Sequence, residues 1–187
     1  MYHHVERLSE LFTVAVRRAG AEFGLLPIHV RVLHYLATCN RLSDTPSAVT
    51  EYLGQTKGPV SQTLKVLQEK GLVTKMQDSN DRRITHLSVT RRGDRIVQKL
   101  VEVPELVDAT TRLGSTRSVE VERALSDLIS ALHQAGGTKS FGICASCRYN
   151  QKVENDSYFC NLVQESLTAE ETHLRCREHN WPLSVST

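Results

Sequence analysis

The stretch Leu53–Gly93, LGQTKGPVSQTLKVLQEKGLVTKMQDSNDRRITHLSVTRRG, decides the fold. Val60, Leu64 and Leu67 recur one turn apart, behind a proline at position 59 that suits the first turn of a helix. Gly71 supplies the C-terminal stop. Leu72–Met76 then reads as a short strand, Asp78-Ser79-Asn80-Asp81 as a turn, and Ile84–Val89 alternates as a second strand. A helix followed by a hairpin with a polar, basic tip is the outcome.

The flanks extend this unit. Asp44 or Thr45 can cap a short helix that opens at Pro46 and stops at Gly54. Before it, Pro27 opens a helix through Cys39, with Ile28, Val32, Tyr35, Leu36 and Cys39 on one face. Val5, Leu8, Leu11, Phe12 and Ala15 space a first helix over 4–19. Downstream, a helix from near Thr90 carries Ile96, Val97, Leu100, Val101 and Val107, and Pro104 kinks it or ends its first half. Val121, Leu125, Leu128 and Leu132 mark a last helix over 118–134, closed by Gly136-Gly137. The expected fold is mainly α with a small β-hairpin wing: a winged helix-turn-helix, a helical dimerisation region and a small cysteine-rich C-terminal appendix. Residues 1–140 form the first unit, with its head at about 27–92, and 141–187 form the appendix.

Charge gives the head a partner. Residues 55–95 hold nine Lys/Arg and only four acids, although the whole chain carries a formal charge of just +2. Such a basic segment suits the phosphates of double-stranded DNA. In a helix-turn-helix, the N-terminal turns of the second helix reach base edges in the major groove. The expected outward residues there are Lys57, Ser61, Gln62, Thr63 and Lys65. Gln62 can pair bidentately with adenine, Ser61 and Thr63 can bond bases or phosphates, and the lysines suit phosphates.

These motifs resemble the MarR family of bacterial transcription regulators. The resemblance rests on Leu67–Val73 (LQEKGLV), Asp78–Arg83 (DSNDRR) and Leu87–Gly93 (LSVTRRG), and extends over roughly residues 5–135. It implies a homodimer built from the first and last helices, with two heads reading a pseudo-palindromic operator. It implies that Arg82 enters the minor groove, and that Arg83 and Asp81 hold the hairpin and contact the backbone. Asn80 stands where the family often has arginine, which lowers the wing charge. The apolar stripe Val121–Leu132 supports dimerisation separately, because one small head cannot cover it.

The appendix carries Cys144-x2-Cys147-x12-Cys160-x15-Cys176, whereas the first 140 residues hold a single cysteine, Cys39. Cys144 and Cys147 can offer two thiolates from one loop, and Cys160 and Cys176 complete a four-ligand set. One Cys-x-x-Cys pair plus two dispersed cysteines favours an iron-sulfur cluster, with zinc the alternative. Arg148 can bond a cluster sulfur or lower a thiol pKa. His173 and His179 are read as surface or supporting residues, Cys39 as a buried small hydrophobe, and Trp181-Pro182 as packing. Because the appendix follows the last helix, its metal or redox state is expected to act on that helix.

The sequence favours a regulator over an enzyme. It shows no nucleophile elbow or phosphate-binding glycine loop, and the Cys-x-x-Cys pair lacks a thioredoxin-like context. The competing reading is a thiol redox enzyme using that pair. No apolar run approaches the ~20 residues needed to span a bilayer, and no secretory signal is present. A cytoplasmic protein is therefore expected. Whether an organic effector also binds between the head and the dimer region stays open.

Overall fold

A computed structural model describes residues 1–101, 103–153 and 157–182. Eight elements precede the appendix: α1 (Tyr2–Ala21), α2 (Pro27–Thr38), α3 (Pro46–Leu53), α4 (Lys57–Glu69), β1 (Val73–Gln77), β2 (Thr85–Val89), α5 (Arg91–Val101) and α6 (Pro104–Gly136). Within the appendix, a 3-10 turn at Cys144–Ser146 leads to β3 (Asn150–Lys152), β4 (Tyr158–Cys160), β5 (Glu165–Leu167) and α7 (Ala169–Thr172). Strands β1 and β2 form the antiparallel wing, and β3-β4-β5 form a second antiparallel sheet. The winged helix-turn-helix expected from the sequence is thus present.

Val32, Leu33 and Tyr35 of α2 have no exposed surface and form the centre of the core. Val49 of α3, Leu64 and Leu67 of α4, Leu87 of the wing and Ile96 of α5 surround them. Thr45, rather than Asp44, caps α3, its hydroxyl accepting from the Ala48 N–H at 3.2 Å. Pro104 does not kink one long helix; α5 ends at Val101 and α6 opens at Pro104. The side chains of Leu100 and Val101 lie outside the described part. Helix α6 runs further than the apolar stripe suggests, and is interrupted at Gly114, whose φ of 76° and ψ of 165° suit glycine.

A latch joins the recognition helix to α5. The Thr90 hydroxyl donates to Gly71 O at 2.8 Å, the Gly93 N–H donates to that hydroxyl at 3.1 Å, and the Thr90 N–H donates to Leu72 O at 3.0 Å. Gly93 is needed for this approach, since a Cβ there would stand 2.5 Å from Leu72 O and 2.6 Å from a Val89 methyl.

The appendix does not extend from α6 as a separate body. Phe141 reaches into the head, 5% exposed, with its ring edge-on to Tyr35 and Tyr52 at 6.0 and 5.4 Å. Arg175 joins the end of α2 like a short parallel strand. Its N–H donates to Thr38 O at 2.7 Å, and its carbonyl accepts from Asn40 at 2.9 Å. Arg177 forks onto Glu51 of α3, and Arg41 pairs with Glu165 and Glu171. The appendix therefore docks on the α2–α3 turn of the head. Helix α6 has no buried residue among those described.

We expect Gly93→Ala to destabilise the protein by about 1–3 kcal/mol, because the neighbouring carbonyl is backbone and cannot swing away. Gly58, also helical but with open space around its Cα, is the control. Its replacement by alanine should stabilise by about 0.5–1 kcal/mol. Urea unfolding of the two variants checks both signs.

Candidate nucleic-acid interface and cysteine site

Helix α4 buries Val60, Thr63, Leu64 and Leu67, the helical i, i+3, i+4, i+7 arc. This burial leaves Lys57, Ser61, Gln62 and Lys65 exposed along its outer side. Lys65 leans toward Glu69 at 3.9 Å, a weak one-turn pair. Thr63 corrects the sequence reading. It is only 7% exposed, and its hydroxyl donates back to Pro59 O at 3.0 Å, so it faces the core rather than a duplex. Its spacing of three from Val60 places it inside the buried arc.

The wing tip is shaped by carboxylates. Asp78 Oδ1 accepts from the backbone N–H groups of Asn80 and Asp81, both at 2.7 Å. Those two bonds come first among the causes that hold Asp78 below the usual carboxylate range. Asp81 takes Arg83 in a fork, Nε at 3.0 Å and Nη2 at 2.7 Å. Arg83 is therefore engaged within the hairpin. Among the described residues, nothing bonds the exposed Arg82 guanidinium; only its backbone carbonyl is used, accepting from Gln77.

Close to its tip, the wing is pinned to the head by a residue the sequence reading passed over. His86 Nδ1 lies 2.6 Å from Asp44 Oδ1 and its Nε2 lies 3.2 Å from Asp78 Oδ2. The Leu87 N–H donates to Asp44 O at 2.7 Å. The Asp44 bond, then the Asp78 bond, outweigh burial and raise the His86 pKa. Asp44 is itself pushed up by burial, against the pull of His86. In the sequence His86 reads as one more residue of an alternating strand, and Asp44 is 42 positions away.

A raised folded-state pKa means the histidine's contribution is complete below its ordinary value of 6.5 and fades as pH rises through the folded value. We expect the stability difference between the parent and His86→Gln to be largest below pH 6.5 and to shrink as the solution is made more alkaline. Unfolding midpoints across pH measure this; a difference independent of pH would contradict the clamp.

The four appendix cysteines converge on one region. Cys144 and Cys176 are buried, and Cys147 and Cys160 are half-buried. Backbone bonds fix them: the Cys144 N–H to Leu174 O, the Cys147 N–H to Cys144 O, and the Cys176 N–H to Gly142 O. Strand β4 supplies Cys160, paired across from Asn150. Burial first, then the neighbouring Cys176, Cys147 and Cys160, push the Cys144 thiol up to about 12. Cys144 is thus within electrostatic reach of the other three. They are not drawn tightly about one point: no group of three or more His, Cys, Asp or Glu among the described residues is poised around a single ion.

Donors face the sulfurs. The Asn180 N–H points at Cys147 Sγ at 3.4 Å, and Asn150 Nδ2 at Cys144 Sγ at 3.7 Å. Burial raises the Cys176 pKa, against the pull of the Asn40 side chain and the Glu178 backbone. His179 is closed as a ligand, because its ring nitrogens meet the hydroxyls of Ser140 at 2.5 Å and Ser146 at 3.0 Å. His173 is exposed, and Arg148 lies over the Tyr149 ring. Cys39 stands just past the end of α2, with extended backbone, and is buried in the core of the head. Trp181 packs edge-on against His179 within the appendix.

A cavity of about 640 Å³ opens between α1, the head and the appendix. Phe12, Ile28 and Tyr52 form apolar wall, and Arg31, His34 and Arg175 add basic groups. Arg175 Nε is buried without a hydrogen-bond partner. Burial, followed by the Arg175 charge, lowers the His34 pKa.

Residues 23–84 match the sequence pattern of the MarR family. The head is thus similar to that family in sequence, and its fold is a winged helix. Among curated relatives, the organic hydroperoxide resistance transcriptional regulator of Bacillus subtilis is 26% identical over 90 residues. That match takes in 48% of this chain and 61% of the relative, less than two thirds of its length. Solved structures share the fold. A MarR transcriptional regulator from Methanosarcina mazei Go1 superposes with a TM-score of 0.59 at 15% identity, over 71% of this chain and 96% of its own. The MepR–DNA complex of S. aureus gives 0.56 at 19% identity, over 70% and 98%. Regulator Tm0710 from Thermotoga maritima gives 0.52 at 23%, over 73% and 96%.

Proposed function

We propose that this protein is a dimeric, sequence-specific regulator of transcription that carries a four-thiolate iron-sulfur site. The observation that carries the DNA-binding part is the exposed row of Lys57, Ser61, Gln62 and Lys65 beside a wing tip whose Arg82 has no partner among the described residues. Arg82 is free to meet phosphates or a minor groove, while Arg83 stiffens the tip that presents it. The relatives favour this class, being transcriptional regulators, one of them bound to DNA. They give no support to the thiol redox enzyme.

Dimerisation is supported by uncovered apolar surface. Leu8, Leu11 and Phe12 of α1 are 51–53% exposed, and Ile129 and Leu132 of α6 are 51% and 60% exposed. A second copy would remove these faces from water, and the expected operator is a pseudo-palindrome. No helix among the described residues is long and apolar enough to cross a membrane, which is consistent with a cytoplasmic regulator.

The thiol set fits an iron-sulfur cluster better than one zinc ion. A zinc ion gathers four sulfurs at ~2.3 Å about one centre, whereas a cluster spreads its thiolates over several irons. Cys144 and Cys147 come from one loop while Cys160 and Cys176 come singly from separate segments, a dispersal that suits the wider group. The N–H donors on Cys144 and Cys147 suit bound thiolates, and zinc remains the alternative. The cavity at Arg31, His34 and Arg175 favours an organic anion as a second effector, with the apolar wall accepting its hydrocarbon part.

Arg82→Ala should weaken DNA binding and reduce the salt slope by about one contact, with folding unchanged. Gln62→Ala should relax base preference at one position per half-site, at about 1–3 kcal/mol, whereas Lys65→Ala should weaken all sequences alike. Titrations against a duplex selected from a random library test these, and unchanged affinity and specificity in all three variants would exclude this face. Replacing Cys144, Cys147, Cys160 or Cys176 by serine should lower bound metal in anaerobically purified protein, and Cys39→Ser should not. Visible absorption separates a cluster from colourless zinc. Full metal occupancy in all four variants would exclude the site.

A further inference from the structure

His86 stands where the wing meets the turn between α2 and α3, with a carboxylate at each ring nitrogen. Nδ1 faces Asp44 Oδ1 at 2.6 Å, and Nε2 faces Asp78 Oδ2 at 3.2 Å. An ionised carboxylate only accepts, and a neutral imidazole donates from one nitrogen alone. The other oxygen of Asp78 accepts the Asn80 and Asp81 N–H groups, which keeps this carboxyl ionised. Both contacts therefore hold together only when the ring and Asp44 share one extra proton. The count is the same whichever partner of the short Asp44 contact carries it.

The other charges near the ring are already paired. Arg41, Arg83, Arg177 and Glu165 line the same cleft. Arg41 pairs with Glu165 and Glu171, Arg83 with Asp81, and Arg177 with Glu51. Across the wing ladder His86 faces Met76, which is uncharged. Among the described residues, Asp44 and Asp78 thus have His86 as their ionic partner. Asp78 opens the turn that carries Arg82, while Asp44 belongs to the head, where its neighbour Thr45 caps α3. Loss of the proton sets a nitrogen lone pair against a carboxylate oxygen. The strand stays tied through the Leu87 N–H to Asp44 O, but the tip loses its tether.

We propose that His86 is a positioning residue for DNA binding, whose proton holds the wing tip where Arg82 meets the duplex, so that affinity falls as the solution is made alkaline. This rests on the DNA-binding reading above. Asp44 first, and then Asp78 against burial, raise the His86 pKa. Affinity is accordingly complete below that raised value and is lost as pH rises through it. Linkage is reciprocal, so a bound duplex raises the same value further.

The test measures the affinity of full-length parent and His86→Gln for a duplex selected by the parent from a random library, from about pH 5 to about pH 9. The ratio of parent to variant affinity should fall roughly 5- to 150-fold over that range, the usual span for coupled sites. With Arg82→Ala added to both proteins, the ratio should hold within about twofold, because the wing no longer has this cation to deliver. A merely structural histidine, or a plain charge effect on the duplex, would not depend on Arg82. A second measurement needs no variant: NMR titration of the His86 ring in the parent, free and duplex-bound, should show its midpoint raised by the duplex. It decides the matter if His86→Gln does not fold. Parallel pH profiles for parent and His86→Gln, or a midpoint unmoved by the duplex, overturn the clamp and leave the DNA-binding reading standing. A ratio that falls equally with Arg82 replaced overturns delivery through the wing. Failure of the parent to select any duplex overturns the DNA-binding reading and this inference together.

Discussion

The structure turns on a short piece of backbone pairing: Arg175 laid against the end of α2, donating to Thr38 O at 2.7 Å and accepting from Asn40 at 2.9 Å. Backbone groups buried at such a junction need partners, and each finds one in the other segment. Arg175 is next to Cys176 and one residue from Arg177, so this register aims three side chains at once. Arg175 points into the cavity beside α1, Cys176 joins the other thiols, and Arg177 forks onto Glu51 of α3. The end of α2 and, through Glu51, α3 are thus both held to the appendix.

Ionic contacts then divide the labour. Arg41, Arg83 and Arg177 are committed to Glu165 and Glu171, Asp81, and Glu51. Such partly exposed pairs add little stability singly, but each fixes the position of a loop. Lys57 and Arg82 have no such partner in the described chain, and they sit on the face where α4 and the wing would meet a duplex. Within the basic segment 55–95, Arg83 is thus structural, whereas Lys57 and Arg82 are available to phosphates.

Much of the head was legible because its signals are local. The helical spacing of Val60, Leu64 and Leu67, the stop at Gly71, the turn at Asp78–Asp81 and the alternation of the second strand each report on neighbours a few residues away. Thr63 was misplaced although the information was present: a residue three after Val60 falls in the buried arc, and a small polar side chain bonded to Pro59 is at home there. What was not legible lies between distant residues. His86 with Asp44, Arg177 with Glu51 and Phe141 with Tyr35 leave no trace in spacing, because each side chain is ordinary in its own segment. The cysteines marked where the appendix chemistry lies, but not which surface of the head it grips. Packing chose the α2–α3 turn.

The central claim is that the cysteine appendix is a working part of the DNA-reading head. Amide hydrogen exchange of the full-length protein, metal-loaded and depleted, tests it most directly. The account predicts that depletion speeds exchange in residues 38–44 of the turn as well as in the appendix. Faster exchange confined to residues 141–182, with the turn unchanged, would contradict it.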